Sequence, residues 1–183
     1  MSEYHNTKAE DRVPLGQTLA VGAGGFPIQN GGLIVQYMAQ PIFQIFLGLN
    51  PALFGLAMTI PRIWDAFTDP VMGRISDRTQ SRYGRRRPYV FVGALAVALT
   101  FLTIWMVPQS MGDTGTFLWL TIGSVLFFTA FTVFSVPFNA LVYEQTPDYH
   151  ERTRLMFYLA LFYNIGNLCV NWYVPATNWS GFE

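Results

Sequence analysis

The chain has 183 residues, 51% of them hydrophobic and 16% aromatic, with 12% charged, about half the charged share usual in a soluble domain. Net charge is zero, but six of the eleven basic residues fall between Arg74 and Arg87, so the distribution of charge informs more than its sum. A single cysteine, Cys169, excludes an internal disulfide framework and a cysteine-rich metal site, and its apolar surroundings suggest a packing role. His5 and His150, in polar stretches far apart in the chain, read as solvated surface residues.

The first residues, MSEYHNTKAEDR, are polar and lack the apolar core and cleavage site of a secretory signal. Residues 1–17 are expected to form a cytoplasmic tail. Five apolar stretches follow, at about 18–47, 53–72, 89–107, 117–142 and 155–174, each long enough for a hydrocarbon core of about 30 Å. Lipid admits only helices or closed barrels, and these stretches lack the alternation of barrel strands. The expectation is an all-α, polytopic membrane protein with a five-helix bundle over 18–174. The arginine-rich segment 73–88 marks the cytoplasmic side; Lys8, Arg12, Arg152 and Arg154 agree with it, which puts the N-terminus inside and the tail 175–183 outside. An Asn178-Trp179-Ser180 sequon falls in that tail.

The first stretch carries Gln29, Gln36, Gln40 and Gln44 within about a quarter-turn of one another, flanked by Asn30 and Tyr37. Amides both donate and accept hydrogen bonds, which suits the hydroxyl groups of a sugar. Pro27, Pro41 and several glycines are expected to bend this helix or admit close neighbours.

In the second stretch, Arg62, Asp65 and Asp69 are spaced i, i+3 and i+7 and share one helical face. A mid-membrane carboxylate costs about 2.5–3.5 kcal/mol on insertion scales, so two of them point to a protein-lined cavity and a cation that relieves their repulsion. Sodium and a proton both suit such oxygen ligands. The competing reading pairs Arg62 with Asp65 and leaves Asp69, before Pro70, to cap or bend the helix. In the segment that follows, Gly73 and Gly84 suggest close passage or a turn, and Asp77 sits among arginines. An anchor or lipid-headgroup patch is one reading of that segment, but those placed residues, with Pro88 at the start of the next helix, favour a specific loop.

The fourth stretch places Thr121, Thr132, Ser135 and Asn139 on a narrow face, and the fifth has Asn164, Asn167 and Asn171. Interhelical hydrogen bonding accounts for such residues at about 0.6–2 kcal/mol per pair.

RIWDAFTDPVMGRISDRTQSRYGRRRP at 62–88, FTVFSVPFNAL in the fourth stretch and ERTRL after it resemble the glycoside-pentoside-hexuronide:cation symporters, the melibiose permease group of the major facilitator superfamily. The resemblance implies a cation site of Asp65, Asp69 and Thr132 with Arg62 beside it. It also implies a conformational loop containing Gly73, Asp77, Arg78, Gly84, Arg85 and Arg86. For the substrate it implies a site on the first and fourth helices at Gln29, Ser135 and Asn139, to which the amide face adds Asn30, Gln36 and Tyr37. The melibiose type has acidic residues where this chain has Gln29 and Ser135, an aromatic residue where it has Asn139, and an arginine where it has Ala160. That points away from galactosides and toward another hydroxyl-rich solute.

The expected function is secondary active transport in the plasma (inner) membrane: sodium or proton movement drives uptake of a sugar or glycoside by alternating access. No enzymatic reaction, nucleic-acid partner, cofactor or metal beyond a coupling sodium is expected. The resemblance further implies that the chain is the N-terminal half of a twelve-helix carrier, completed by its C-terminal half or a second copy. The alternatives are a complete five-helix interaction or assembly subunit, and an inactive truncated transporter.

Overall fold

The computed structural model describes residues 11–108 and 111–179, with side chains described as far as Trp172. Among the described residues the regular elements are all helices, with no strand: α1 (Leu15–Ala39), a π-helical continuation (Gln40–Phe46), α2 (Pro51–Arg78), α3 (Arg87–Trp105), α4 (Asp113–Tyr143) and α5 (Tyr149–Trp179). His5, Lys8 and the Ser180 end of the sequon lie outside the described residues, and the side chains of Asn178 and Trp179 are not described.

Several boundaries differ from expectation for local reasons. Pro41 has no N–H to offer the carbonyl one turn back. Around it the ladder slips by a residue, and Leu47 N–H reaches Ile42 O at 3.0 Å. The first stretch is therefore two helical forms, and Gln40 and Gln44 depart from the register that put them in line with Gln29 and Gln36. Gly48, at φ +70°, closes the turn. α2 then starts sharply, because the Asn50 side chain accepts the Ala52 N–H at 2.8 Å and Pro51 supplies a preset φ.

α2 runs six residues past the expected end at 72. Pro61 and Pro70 lie inside it without stopping it, so Gly73, Arg74, Asp77 and Arg78 are helical and only 79–86 forms the connection. Gly73 is thus no turn; a Cβ there would meet Val136 at an ordinary 3.9 Å. The turn belongs to Gly84, at φ +98°. α5 begins at Tyr149 because Asp148 Oδ1 accepts the N–H groups of His150 at 2.7 Å and Glu151 at 3.0 Å. It continues through 175–179, which had been expected in the tail.

The chain forms two compact units, 1–31 with 140–183, and 32–139. In the first, Val13 N–H donates to Glu151 Oε1 at 3.1 Å, Arg154 pairs with the same oxygen at 2.8 Å, and Thr146 Oγ1 donates to Asp11 O at 3.0 Å. Close approach of helices is achieved by glycine: a Cβ at Gly22 would fall 2.5 Å from Phe162, and one at Gly25 2.6 Å from Leu159. In the second unit, Val35, Phe43, Ala57, Ile104, Leu120 and Phe127 anchor an apolar core. There Gly93 of α3 lies against the backbone of α4, since a Cβ would come 2.6 Å from Phe134 N.

Two helices, α3 and α4, are long and apolar enough to cross a membrane by composition, with mean hydropathy 1.9 and 2.0. Among the described residues the other three fall short of that measure. They are the helices that carry the glutamines, the Arg62–Asp69 charges and the asparagines.

Candidate functional site

The 62–69 face of α2 meets α4 inside the second unit. Thr132, 3% exposed, donates its hydroxyl to Asp69 Oδ1 at 2.9 Å. One and a half turns earlier on α2, Trp64 Nε1–H donates to Thr129 Oγ1 at 2.9 Å. Thr129 in turn donates to Val125 O at 2.7 Å. Two polar struts thus fix the rotation of α2 against α4, with Thr129 and Thr132 a turn apart on the facing helix.

Asp65, half-buried between the struts along α2, has a buried Oδ1 with no hydrogen-bond partner among the described residues. A buried carboxylate oxygen without a donor is costly, and a cation or a proton is what removes the cost. Arg62 does not supply it: among the described residues no ion pair joins Arg62 to Asp65. Its guanidinium lies instead over the Phe128 ring, 4.8 Å from the centroid. Among the described residues Arg62 and Asp65 thus share an electrostatic field without a direct ion pair, and Asp69 neither caps nor ends α2.

Arg62 also lines a cavity of about 250 Å³ with Gln36, Thr59, Met58, Val35 and Phe128. The cavity brings one glutamine of the amide stripe to the cationic end of the charged face. Tyr37 is exposed, and Ser135 and Asn139 are half-buried on α4. In the first unit Gln29 is exposed. Asn30 is fully buried there: its Nδ2 donates to Phe26 O at 2.9 Å, and it packs onto Gly166, where any Cβ would collide with it. In this conformation Asn30 presents no surface to a solute.

On α5, Asn164 Nδ2 donates to Ala160 O at 2.7 Å and Asn171 Nδ2 to Asn167 O at 2.8 Å. Both residues are exposed, so these amides are turned onto their own helix rather than joining it to another. Thr121 likewise bonds Phe117 O of its own helix at 2.8 Å. Cys169 is exposed, not packed.

At the end of α2, Asp77 accepts from Arg86, a buried arginine, across the 79–86 connection. That hydrogen bond, followed by the fields of Arg86 and Arg85, holds the Asp77 carboxyl below its ordinary value against a smaller opposing effect of burial. Arg78, next to Asp77, is exposed.

Sequence reasoning missed Trp64, Thr129 and Phe128. A threonine one turn before Thr132 was the available signal for the second strut; nothing in the sequence pattern announced the arginine–phenylalanine stack.

A family model described as MFS/sugar transport protein matches residues 20–177. The chain belongs to that family. Its members are transporters, and the protein is accordingly a membrane protein of a transport family and not an enzyme. An uncharacterized symporter of Synechocystis is 36% identical over 143 residues, 75% of this chain and 26% of the relative. The sodium-dependent lysophosphatidylcholine symporter 1-A of Danio rerio is 32% identical over 70% of this chain and 24% of its own length. The putative glycoside/cation symporter YagG of Escherichia coli is 27% identical over 86% of this chain and 33% of its own length. The chain spans about a quarter to a third of these curated relatives. Symport is the activity that their names share, and two of the three name a cation.

Proposed function

We propose that this chain supplies the cation-binding helices of a secondary active symporter, with Asp65 and Asp69 as the ligands that carry the charge and Thr132 as a third oxygen donor. The observation that carries the reading is the unpartnered, buried Oδ1 of Asp65 beside an Asp69 already oriented by Thr132. A hard cation, sodium or a proton, satisfies both carboxylates at once. The sodium-dependent relatives favour sodium.

In this reading all five helices cross the plasma membrane with the N-terminus and the 79–86 connection inside, and the polar residues that lower the hydropathy of α1, α2 and α5 face protein or a water-filled path. The five helices belong to the N-terminal bundle, and alternating access follows from its rocking against a second bundle. The substrate is a hydroxyl-rich solute, a sugar or glycoside, entering beside Gln36 and Arg62 and reaching toward Ser135 and Asn139. Arg62, exposed in the cavity, also suits a solute with an anionic group, which keeps a hexuronide or a lysophospholipid on the substrate panel.

The test is uptake into membrane vesicles from cells making the natural gene product, with a sodium or a pH gradient imposed and neutral glycosides, hexuronides and lysophosphatidylcholine offered in turn. Accumulation above the external concentration with one gradient, lost in Asp65→Asn, is expected. Concentrative uptake retained in that variant overturns the cation assignment. The five-helix assembly subunit would instead show no gradient-driven uptake of any solute.

A further inference from the structure

The turn that links α2 to α3 opens onto a cavity of about 860 Å³ whose lining is of two kinds. Arg82 and Arg87 stand at one side, and Phe91 and Val92 form an apolar wall. The Arg82 guanidinium rests 4.9 Å from the centroid of the Tyr83 ring, which positions its charge without neutralising it. Gly84, in its left-handed conformation, brings the turn against the Arg87 stem, with Cδ 3.6 Å from where a Cβ would stand. No Asp or Glu occurs between Asp77 and Asp113, and Asp77 is engaged by Arg86. The cavity lining therefore carries two arginines and no acid, and its own segment supplies none.

The apolar wall does not stop at the cavity. Phe91, Leu95, Leu99 and Leu102 follow at intervals of four, four and three along one face of α3, and are 69%, 54%, 67% and 60% exposed. From Phe91 to Leu102 the helix rises about 16 Å, close to half of a hydrocarbon core of about 30 Å. A guanidinium pair at the head of an uncovered apolar stripe one leaflet deep has the shape and charge of a phospholipid's complement.

We infer that this cavity binds the headgroup of an anionic phospholipid, with its acyl chains laid along the Phe91–Leu102 face of α3. The two arginines take the phosphate oxygens, for which guanidinium geometry is suited, and Phe91 with Val92 meets the glycerol and first methylenes. A lipid held there bridges the 79–86 connection and α3, so its occupancy bears on the same connection that Asp77 and Arg86 close. The inference uses the membrane setting of the family but neither the cation site nor the side on which the segment lies.

The experiment is a native-mass titration of the purified natural protein, in a neutral detergent, with phosphatidylglycerol and with phosphatidylcholine of identical chains. Because both lipids are supplied in solution and no transport is read, its outcome is independent of the cation assignment and of orientation. Retention of phosphatidylglycerol over phosphatidylcholine is expected, and Arg87→Gln should weaken it about five-fold, with a similar loss for Arg82→Gln. Arg74→Gln, one charge removed outside the cavity, should leave it unchanged, and Phe91→Ser should weaken both lipids. Helix content by circular dichroism verifies that each variant is folded. Equal retention of the two lipids, an equal loss in Arg74→Gln, displacement of the lipid by millimolar inorganic phosphate alone, or a lipid-free dimer that buries Phe91 would each overturn the inference.

Discussion

The α2–α4 face and the asparagine face of α5 begin from the same premise: polar side chains repeated at helical spacing inside apolar helices. They end differently. On α5, Asn164 and Asn171 donate to carbonyls of their own helix and are exposed. On α2, Trp64 and Asp69 reach across to Thr129 and Thr132, and Asp65 keeps a buried oxygen without a donor. The lesson is that the spacing of polar residues identifies a face, while function depends on the atoms the fold leaves without a partner. Within a helix no backbone N–H is free for a carboxylate, whereas an amide can donate to the carbonyl one turn back, which is why the proposal rests on the carboxylates and not on the asparagines.

The largest effect expected from breaking this contrast is at the carboxylates. Asp69→Asn keeps an acceptor for Thr132 but removes a charge, and should lower cation coupling of uptake by about 5- to 150-fold, measured as the ratio of uptake with and without the gradient. The reverse change on α5, Asn164→Asp, adds a charge at an exposed position and should leave that ratio unaltered. Packing comes next. Gly93→Ala forces a Cβ into the backbone of α4 and should cost about 1–3 kcal/mol in a denaturation experiment in detergent, whereas Gly73→Ala, whose Cβ would meet Val136 at an ordinary 3.9 Å, should not destabilise through packing. Asp148→Ala removes the acceptor for two N–H groups at the start of α5 and should cost about 1 kcal/mol. Asn171→Ala on the exposed face of α5 should change stability by less than about 0.5 kcal/mol.

The smallest expected effect is on pH dependence at the α2 terminus. Asp77 is held below its ordinary value of 3.8, so the stabilisation it gives through Arg86 is fully present above 3.8 and is lost only as pH falls through its lower value in the folded protein. Between pH 5 and 8 the link should not titrate, and the carboxyl carbon resonance of Asp77 should stay constant across that range.

The existence and type of the five helices were legible in long, largely apolar runs that lack strand alternation, and the alignment of Arg62, Asp65 and Asp69 follows from the 3.6-residue period alone. Thr132 was reached only through family resemblance. Its meeting with Asp69 depends on how α4 is rotated against α2, which no single helix encodes. For the same reason the stack of Arg62 on Phe128 and the burial of Asn30 against Gly166 were invisible in the pattern. Pro70 suggested an end to α2, but neighbouring helices in membrane proteins stabilise a helix past a proline, and α2 continues to Arg78. The glutamine stripe was drawn on one ideal helix; the π-helical turn after Ala39 removes Gln40 and Gln44 from it and leaves Gln36 as the member that lines the cavity.

The measurement that tests the central claim most directly is ion binding by the purified natural protein, comparing wild type with Asp65→Asn and Thr132→Val. Radioactive sodium retention and proton uptake in an unbuffered solution are read on the same samples. The account predicts saturable binding of one of the two ions in the wild type, loss of it in Asp65→Asn, and weakening without loss in Thr132→Val. Ion binding that is the same in all three proteins would contradict it.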